Sequence, residues 1–232
     1  MNMQVFANSD AAARAAAQII AAEARAAVKA RGCFVMAVSG GKTPWQMLGH
    51  LVEEDVPWKE VQFVQVDERI APAGNPDRNL THLHECLLPG SFISAEQIHA
   101  MPVEESDLEA AAARYSGRIR RLAGSPPVLD LAHLGLGPDG HTASLVPGDA
   151  VLQVADADVA LTGIYQKRRR MTLTYPVLNR SRRVLWVVTG TEKAGMLARL
   201  REGDSSIPAG RIDRAHALVV ADKDAAGKMW GT

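Results

Sequence analysis

The sequence predicts a three-layer α/β domain, a mostly parallel open sheet with helices on both faces. Continuous apolar runs at 33–38 and 184–188, and largely apolar ones at 61–66 and 129–136, have the composition of strands buried on both sides, as parallel strands are. Stretches with helical spacing of apolar residues separate them, so strand and helix alternate along the whole chain. The 232 residues, 47% hydrophobic and 22% charged, suit a single α/β domain over 1–232, with room for a small sub-lobe.

A short strand over Gln4 to Ala7 precedes a helix capped by Ser9 and running to about Ala30. Alanine dominates it, Ile19, Ile20 and Val28 supply an apolar stripe, and Gly32 ends it. After the strand Cys33–Val38, Ser39-Gly-Gly-Lys-Thr-Pro44 leads into a helix carrying Trp45, Leu48, Leu51 and Val52. Thr43 is its expected N-cap and Pro44 its first helical residue, where a missing N–H costs nothing. The strand Val61–Val66 runs into Asp67-Glu68-Arg69, three consecutive charges that form either a solvated loop or a site. Gly74-Asn-Pro-Asp77 is a turn before a helix from about Arg78 to Leu88, closed by Pro89-Gly90. Leu108, Ala112, Tyr115 and Ile119 mark one face of a helix over Glu105 to Leu122, which Gly124-Ser-Pro-Pro127 ends. The central strand Leu129–Leu136, apolar but for Asp130 and His133, stops at the turn cluster Gly137-Pro-Asp-Gly140. Beyond it, Ala157 to Ile164 reads as a strand, and Lys167 and Arg168 as a solvated turn. Arg170 abuts the alternating strand Met171–Thr174, and Pro176 begins a short helix. Val184–Val188 is a buried strand, followed by a helix with Lys193 near its first turn. Ile207-Pro-Ala-Gly210 is a turn, Ala217 to Ala221 the last strand, and the remainder a short tail.

Composition narrows the function. Formal net charge is zero, which favours neither nucleic acid nor an anionic membrane as partner. Cys33 and Cys86 lie far apart without metal-clip spacing, as expected in a reducing compartment. The segment Ala11–Val28 is interrupted by Arg14, Glu23 and Arg25, too polar to span a bilayer or serve as a signal peptide. A cytoplasmic protein is expected, as a monomer or a small homo-oligomer. His82, His84 and Cys86 follow one another at steps of two, and residues two apart on a helix do not share a face, so no metal site is expected.

Ligands of open sheets bind beyond the carboxyl ends of the strands. There the sequence places Ser39, Gly40, Gly41, Lys42 and Thr43; Asp67 and Arg69; Asp139 and His141; Arg170; and Lys193. Glycines ahead of a helix N-terminus favour an anion. The Gly-Lys-Thr here is not a nucleotide P-loop, because position 36, where that motif needs its first glycine, is Met. A lysine at a helix N-terminus is unfavourable for the dipole, which points to a compensating anion. Histidine is the side chain that titrates closest to neutrality. Together these groups suit acid–base chemistry on a phosphorylated small molecule without a cofactor, and alone do not separate hydrolysis from isomerisation.

Five blocks in order, Ser39–Pro44, Asp67–Arg69, Gly135–Ser144, Arg170–Thr174 and Thr189–Ala194, resemble the motifs of the 6-phosphogluconolactonase family and span nearly the whole chain. The resemblance implies hydrolysis of 6-phospho-D-glucono-1,5-lactone to 6-phosphogluconate in the oxidative pentose phosphate pathway. It also implies a fold shared with glucosamine-6-phosphate deaminase and ribose-5-phosphate isomerase. His141 is then the general base for the attacking water. Asp139 and Asp67 orient groups and bind sugar hydroxyls, and Ser39–Thr43, Arg69, Arg170 and Lys193 hold the 6-phosphate. Ser144, three residues after His141, is expected to bond locally and not to act as a nucleophile. Arg78, Val146 and Gly210 stand where the family usually has Ser, Phe and Ser, and the first of these bears on the Asp67–Asn79 loop. The alternatives are a deaminase or isomerase of the same fold and a non-enzymatic sugar-phosphate sensor. The deaminases carry an acidic residue shortly after Asp-Gly-His, and Thr142–Val146 contains none.

Overall fold

The computed structural model describes residues 1–89 and 93–227. In chain order the elements are β1 (Asn2–Phe6), α1 (Ser9–Arg31), β2 (Phe34–Val38), α2 (Lys42–Leu51), β3 (Val61–Gln65), β4 (Asp67–Arg69), α3 (Asn79–Leu87), β5 (Ile98–His99), α4 (Leu108–Ala123), β6 (Leu131–Leu134), β7 (Val159–Leu161), β8 (Arg170–Leu173), α5 (Tyr175–Asn179), β9 (Val184–Val188), α6 (Ala194–Glu202), β10 (Ala217–Asp222) and α7 (Lys223–Ala226). Seven strands pair in parallel in the order β1-β10-β9-β6-β2-β3-β5. The expected α/β architecture is therefore present, with a smaller antiparallel sheet, β4-β8-β7, beside it.

Alternation along the central strands divides the core in two. Phe34, Met36 and Val38 of β2 face the layer formed by α1, α2 and α3, while Val35 and Ala37 face α4 and the small sheet. The inward face of α1 is alanine except for Ile20, so this helix lies close against the sheet. Val66 is where the chain leaves one sheet for the other. Its N–H donates to Val38 O of β2 (3.0 Å), and its carbonyl accepts from Leu173 N of β8 (2.8 Å). Asp67-Glu68-Arg69 is thus a strand of the second sheet and not a loop, and Glu68 is fully buried.

Several boundaries differ from the sequence expectation. Asn8, not Ser9, caps α1, its Oδ1 accepting from Ala11 N at 2.9 Å. Gly41, not Thr43, is the N-cap of α2, so Pro44 lies in the third helical position. The glycine reaches φ 135, which a Cβ-bearing residue rarely adopts. β7 covers only Val159–Leu161, because beyond it the Arg170 N–H donates to the Thr162 hydroxyl (3.1 Å) and not to its carbonyl. Residues 208–211 form a 3₁₀ turn, and β10 is followed by the short helix α7, which Asp222 caps. Gly90 and the last five residues of the expected tail lie outside the described residues. Among the described residues, no helix is long and apolar enough to cross a membrane.

Candidate active site

β6 ends at Leu134, and the chain turns through Gly137–Gly140, where Gly140 N donates to Gly137 O (3.0 Å) and Gly137 N to His141 O (2.8 Å). This turn folds His141 back over Gly137. Asp139 Oδ1 accepts from both the His141 backbone N–H (3.1 Å) and ring Nδ1 (2.5 Å). An ionised carboxylate only accepts, so Nδ1 carries the proton and Nε2 is the basic nitrogen. Asp139, not Asp67, orients the imidazole. Burial pushes the Asp139 carboxyl up, but hydrogen bonds from the His141 ring and backbone, and from Tyr165, outweigh it and leave the group below the usual carboxylate range.

The second group of residues comes from β4 and β8. Antiparallel pairing sets Asp67 opposite Thr172 and Arg69 opposite Arg170. Asp67 Oδ2 accepts from Ser144 Oγ (2.5 Å) and lies 3.9 Å from Arg170 Nη1. Ser144 therefore does not bond locally, since its partner is 77 residues away. Asn79 at the start of α3 donates to Asp67 O (2.9 Å) and accepts from Arg69 Nη1 (2.7 Å). The Nε atoms of Arg69 and Arg170 are buried without a partner. Burial, and next to it the like charge of Arg69, disfavour the Arg170 cation, while Asp67 and Tyr165 favour it; the net direction is downward.

These groups share a cavity of about 180 Å³ lined by Ser39, Gly40, Asp67, Arg69, Asn79, His141, Arg170 and Lys193 among others. Gly41, Lys42 and Thr43 line a neighbouring cavity of about 580 Å³, to which Gly40 and Lys193 also contribute. The loop after β2 thus spans both spaces. The Thr43 hydroxyl meets that of Thr189 (2.6 Å), joining the loop to the end of β9. Gly40 is required by packing, because a Cβ there would lie 1.9 Å from Asn79 Oδ1. Among the described residues, no group of three or more His, Cys, Asp or Glu is placed to hold a metal ion.

The family model for glucosamine-6-phosphate isomerases/6-phosphogluconolactonase matches residues 7–221. This chain belongs to that family. A 6-phosphogluconolactonase of Mycobacterium tuberculosis is 34% identical over 98% of both chains. One from Rattus norvegicus is 33% identical over 98% of this chain and 93% of its own. The crystal structure of 6-phosphogluconolactonase from Thermotoga maritima superposes with a TM-score of 0.84, at 26% identity, covering 95% of this chain and 98% of the other.

Within this family pattern, Arg78 is accommodated by burial. Its Nε lies 3.2 Å from Glu68 Oε2, and its Nη1 donates to Ala71 O (2.9 Å). Glu68 in turn accepts from the backbone N–H groups of Arg69, Asn79 and Leu80, each at 2.8 Å, which fixes the start of α3. Gly210 is a packing requirement, since a Cβ would lie 2.0 Å from Asp204 O. Sequence reasoning missed Tyr165, whose hydroxyl donates to Asp139 Oδ2 (3.1 Å), and the partnership of Ser144 with Asp67. Lys167 and Arg168 lie in an exposed turn, as expected, and there the Arg168 guanidinium grips Asp77 through Nε (2.8 Å) and Nη2 (2.6 Å).

Proposed function

We propose that this chain hydrolyses 6-phospho-D-glucono-1,5-lactone to 6-phospho-D-gluconate, with water activated by His141. The observation that carries the proposal is a histidine with Nδ1 committed to Asp139, on the wall of a cavity it shares with Arg69, Arg170 and Lys193. His141 Nε2 takes a proton from water as the water oxygen attacks the lactone carbonyl carbon. The C–O bond to the ring oxygen then breaks, and the imidazolium returns its proton to that oxygen. An activated ester needs no covalent nucleophile and no cofactor for this. Arg69, Arg170, Lys193 and the free N–H groups at the start of α2 bind the 6-phosphate, and that remote binding energy fixes the reacting carbonyl. Asp67 holds Ser144 and Arg170 in place and meets the sugar hydroxyls from the cavity wall. The substrate is a small phosphorylated sugar lactone, neither nucleic acid nor membrane takes part, and the enzyme works in the cytoplasm.

The test is acid release from freshly prepared lactone, with and without protein, beside glucosamine 6-phosphate as a second substrate. The wild type accelerates lactone opening and releases no ammonia from the amino sugar. His141→Ala lowers turnover by about 100-fold or more, as expected for loss of a general base, while affinity for 6-phosphogluconate changes little. Ammonia release, or full lactonase activity in His141→Ala, overturns the reading.

A further inference from the structure

The segment joining β7 to β8 contains a strained turn. Tyr165 N–H donates to Arg168 O (2.9 Å) and Arg168 N–H to Tyr165 O (3.2 Å), which leaves two residues at the tip. Those residues, Gln166 and Lys167, have φ values of 49 and 70. Two consecutive left-handed residues are the geometry that Asn-Gly adopts readily and that longer side chains resist. Side-chain contacts hold it in place. Arg168 grips Asp77, and Gln166 Oε1 accepts from Arg170 Nη2 (3.0 Å). Strain of this kind persists where the surroundings over-determine the backbone, and it clusters at functional sites.

What the turn delivers is Tyr165. Its hydroxyl donates to Asp139 Oδ2 (3.1 Å) and lies 3.4 Å from His141 Nδ1. Its ring stands edge-on to the imidazole, with centroids 5.4 Å apart, and the Arg170 guanidinium sits 4.9 Å over its face. One side chain thus touches both the acid–base pair and a cation of the proposed phosphate grip. We propose that Tyr165 is a positioning residue acting on both: its hydroxyl locks the Asp139 carboxylate behind His141, and its ring holds Arg170 against the cavity wall. The first part follows from the geometry of a carboxylate. Asp139 Oδ1 is occupied by His141, and a donor on Oδ2 stops the group rotating, so the proton on Nδ1 stays where Nε2 needs it. Burial raises the Tyr165 hydroxyl, and the Asp139 charge and hydrogen bond raise it further, which keeps it a donor. The second part follows from the attraction between a guanidinium and an aromatic face.

The kinetic test rests on the lactonase reading and splits the two roles. Tyr165→Phe keeps the ring and removes the hydroxyl; kcat falls about tenfold and KM stays within about twofold. Tyr165→Ala removes both, so KM rises about tenfold as well. Phe therefore rescues KM and not kcat, a split that a merely structural tyrosine does not produce. A measurement independent of the reaction accompanies this. The Nδ1–H proton of His141, held in a short bond to Asp139, gives a downfield NMR resonance in the wild type that broadens or disappears in Tyr165→Phe. Wild-type kcat in the Phe variant, an unchanged KM in the Ala variant, or an unaltered resonance overturns the proposal. Loss of the resonance in Tyr165→Phe, together with a wild type that does not open the lactone, overturns the lactonase reading and leaves the positioning of the pair intact.

Discussion

Gly137 is where a single methyl group should separate catalysis from folding. Its backbone does not occupy the left-handed region, so alanine is conformationally acceptable there. Space is the obstacle. A Cβ at this position would lie 2.0 Å from His141 Nδ1, 2.2 Å from His141 Cε1 and 2.7 Å from Asp139 Oδ1. Ordinary contact begins near 3.4 Å, so the imidazole must recede by about 1.4 Å, and the carboxylate must move with it. A displacement of that size at a reacting group costs about 100-fold in rate. The ring is partly exposed, with side-chain accessibility of 20%, so it can swing outward without breaking the core. Gly137→Ala should therefore lose about 100-fold in kcat while melting close to the wild type. Acid release from the lactone at saturating substrate, beside a thermal melt, measures both. A Gly137→Ala enzyme within about threefold of wild-type kcat would show that the position of His141 over Gly137 does not matter to the reaction, and the proposed base would be wrong.

Three further outcomes are expected. Arg69→Ala should raise KM for the lactone by about 10- to 100-fold with a smaller change in kcat, the size of one or two charge-assisted hydrogen bonds to phosphate; an unchanged KM would remove Arg69 from the grip. His133, fully buried on β6, has its pKa lowered by burial from 6.5 to about 3, and its Nδ1 accepts from Ser39 N (3.3 Å). Below pH 6.5 the unfolded chain takes up a proton that the folded one refuses, so stability falls with pH through the window from 6.5 down to about 3. Between pH 6.5 and 5 this amounts to about 1.6 kcal/mol, or roughly 3–6 °C in Tm for a chain of this size. His133→Asn should flatten that part of the melting curve against pH, and parallel curves for the two proteins would refute the assignment. Gly49 lies exposed within α2 with nothing within 4 Å of a built Cβ, so Gly49→Ala should stabilise the protein by about 0.5–1 kcal/mol in denaturant titration, and a loss of stability would contradict the helix assignment.

Much of the framework is legible because burial on both faces leaves continuous apolar runs. Phe34–Val38 and Val184–Val188 are buried at every position, and both are visible as strands in the sequence. The turn at Gly137–Gly140 is equally plain, since neither strand nor helix accommodates it, and Asp139 and His141 are close enough in sequence to meet. What escapes is contact between distant segments. Ser144 and Asp67 are brought together by the pairing of β4 with β8; alternation over Met171–Thr174 marks β8 but does not name its partner, and the three residues of β4 are too short to carry a period. Charge hides β4 as well, because Asp-Glu-Arg reads as solvent until Glu68 is seen buried against Arg78 and the start of α3. Tyr165 escapes for a different reason. Gln166 and Lys167 carry none of the Asn or Gly signals of the turn they form, so nothing in the sequence points its side chain at Asp139. At α2, two helix-start signals compete. Thr43 offers a side-chain cap, yet the freedom of Gly41 starts the helix earlier and sends the threonine hydroxyl to Thr189.

The pairing of β4 with β8 also bears on why the small sheet exists. It places Arg69 directly opposite Arg170, and like charges facing each other across an antiparallel ladder are unfavourable. A sheet selected for stability alone would put an acid or an apolar side chain at one of the two positions. Here the repulsion is only partly relieved: Asp67 stands 3.9 Å from Arg170, and Arg69 donates to the neutral oxygens of Asn79 and Asp77 O. Both guanidinium groups instead line the cavity that holds His141, and each keeps a buried Nε without a partner. An anion seated between them would supply opposite charge and acceptors together, and its binding would relieve the repulsion of the facing pair. The parallel sheet, through β6 and its turn, presents the proposed base; the antiparallel sheet presents two cations that repel each other. Val66, with its N–H in one sheet and its carbonyl in the other, fixes the distance between these two functions by backbone hydrogen bonds. Because both groups line one cavity, the geometry favours a ligand that carries an anionic group and a reactive carbon together, as the phosphate and carbonyl of a phosphorylated sugar lactone do.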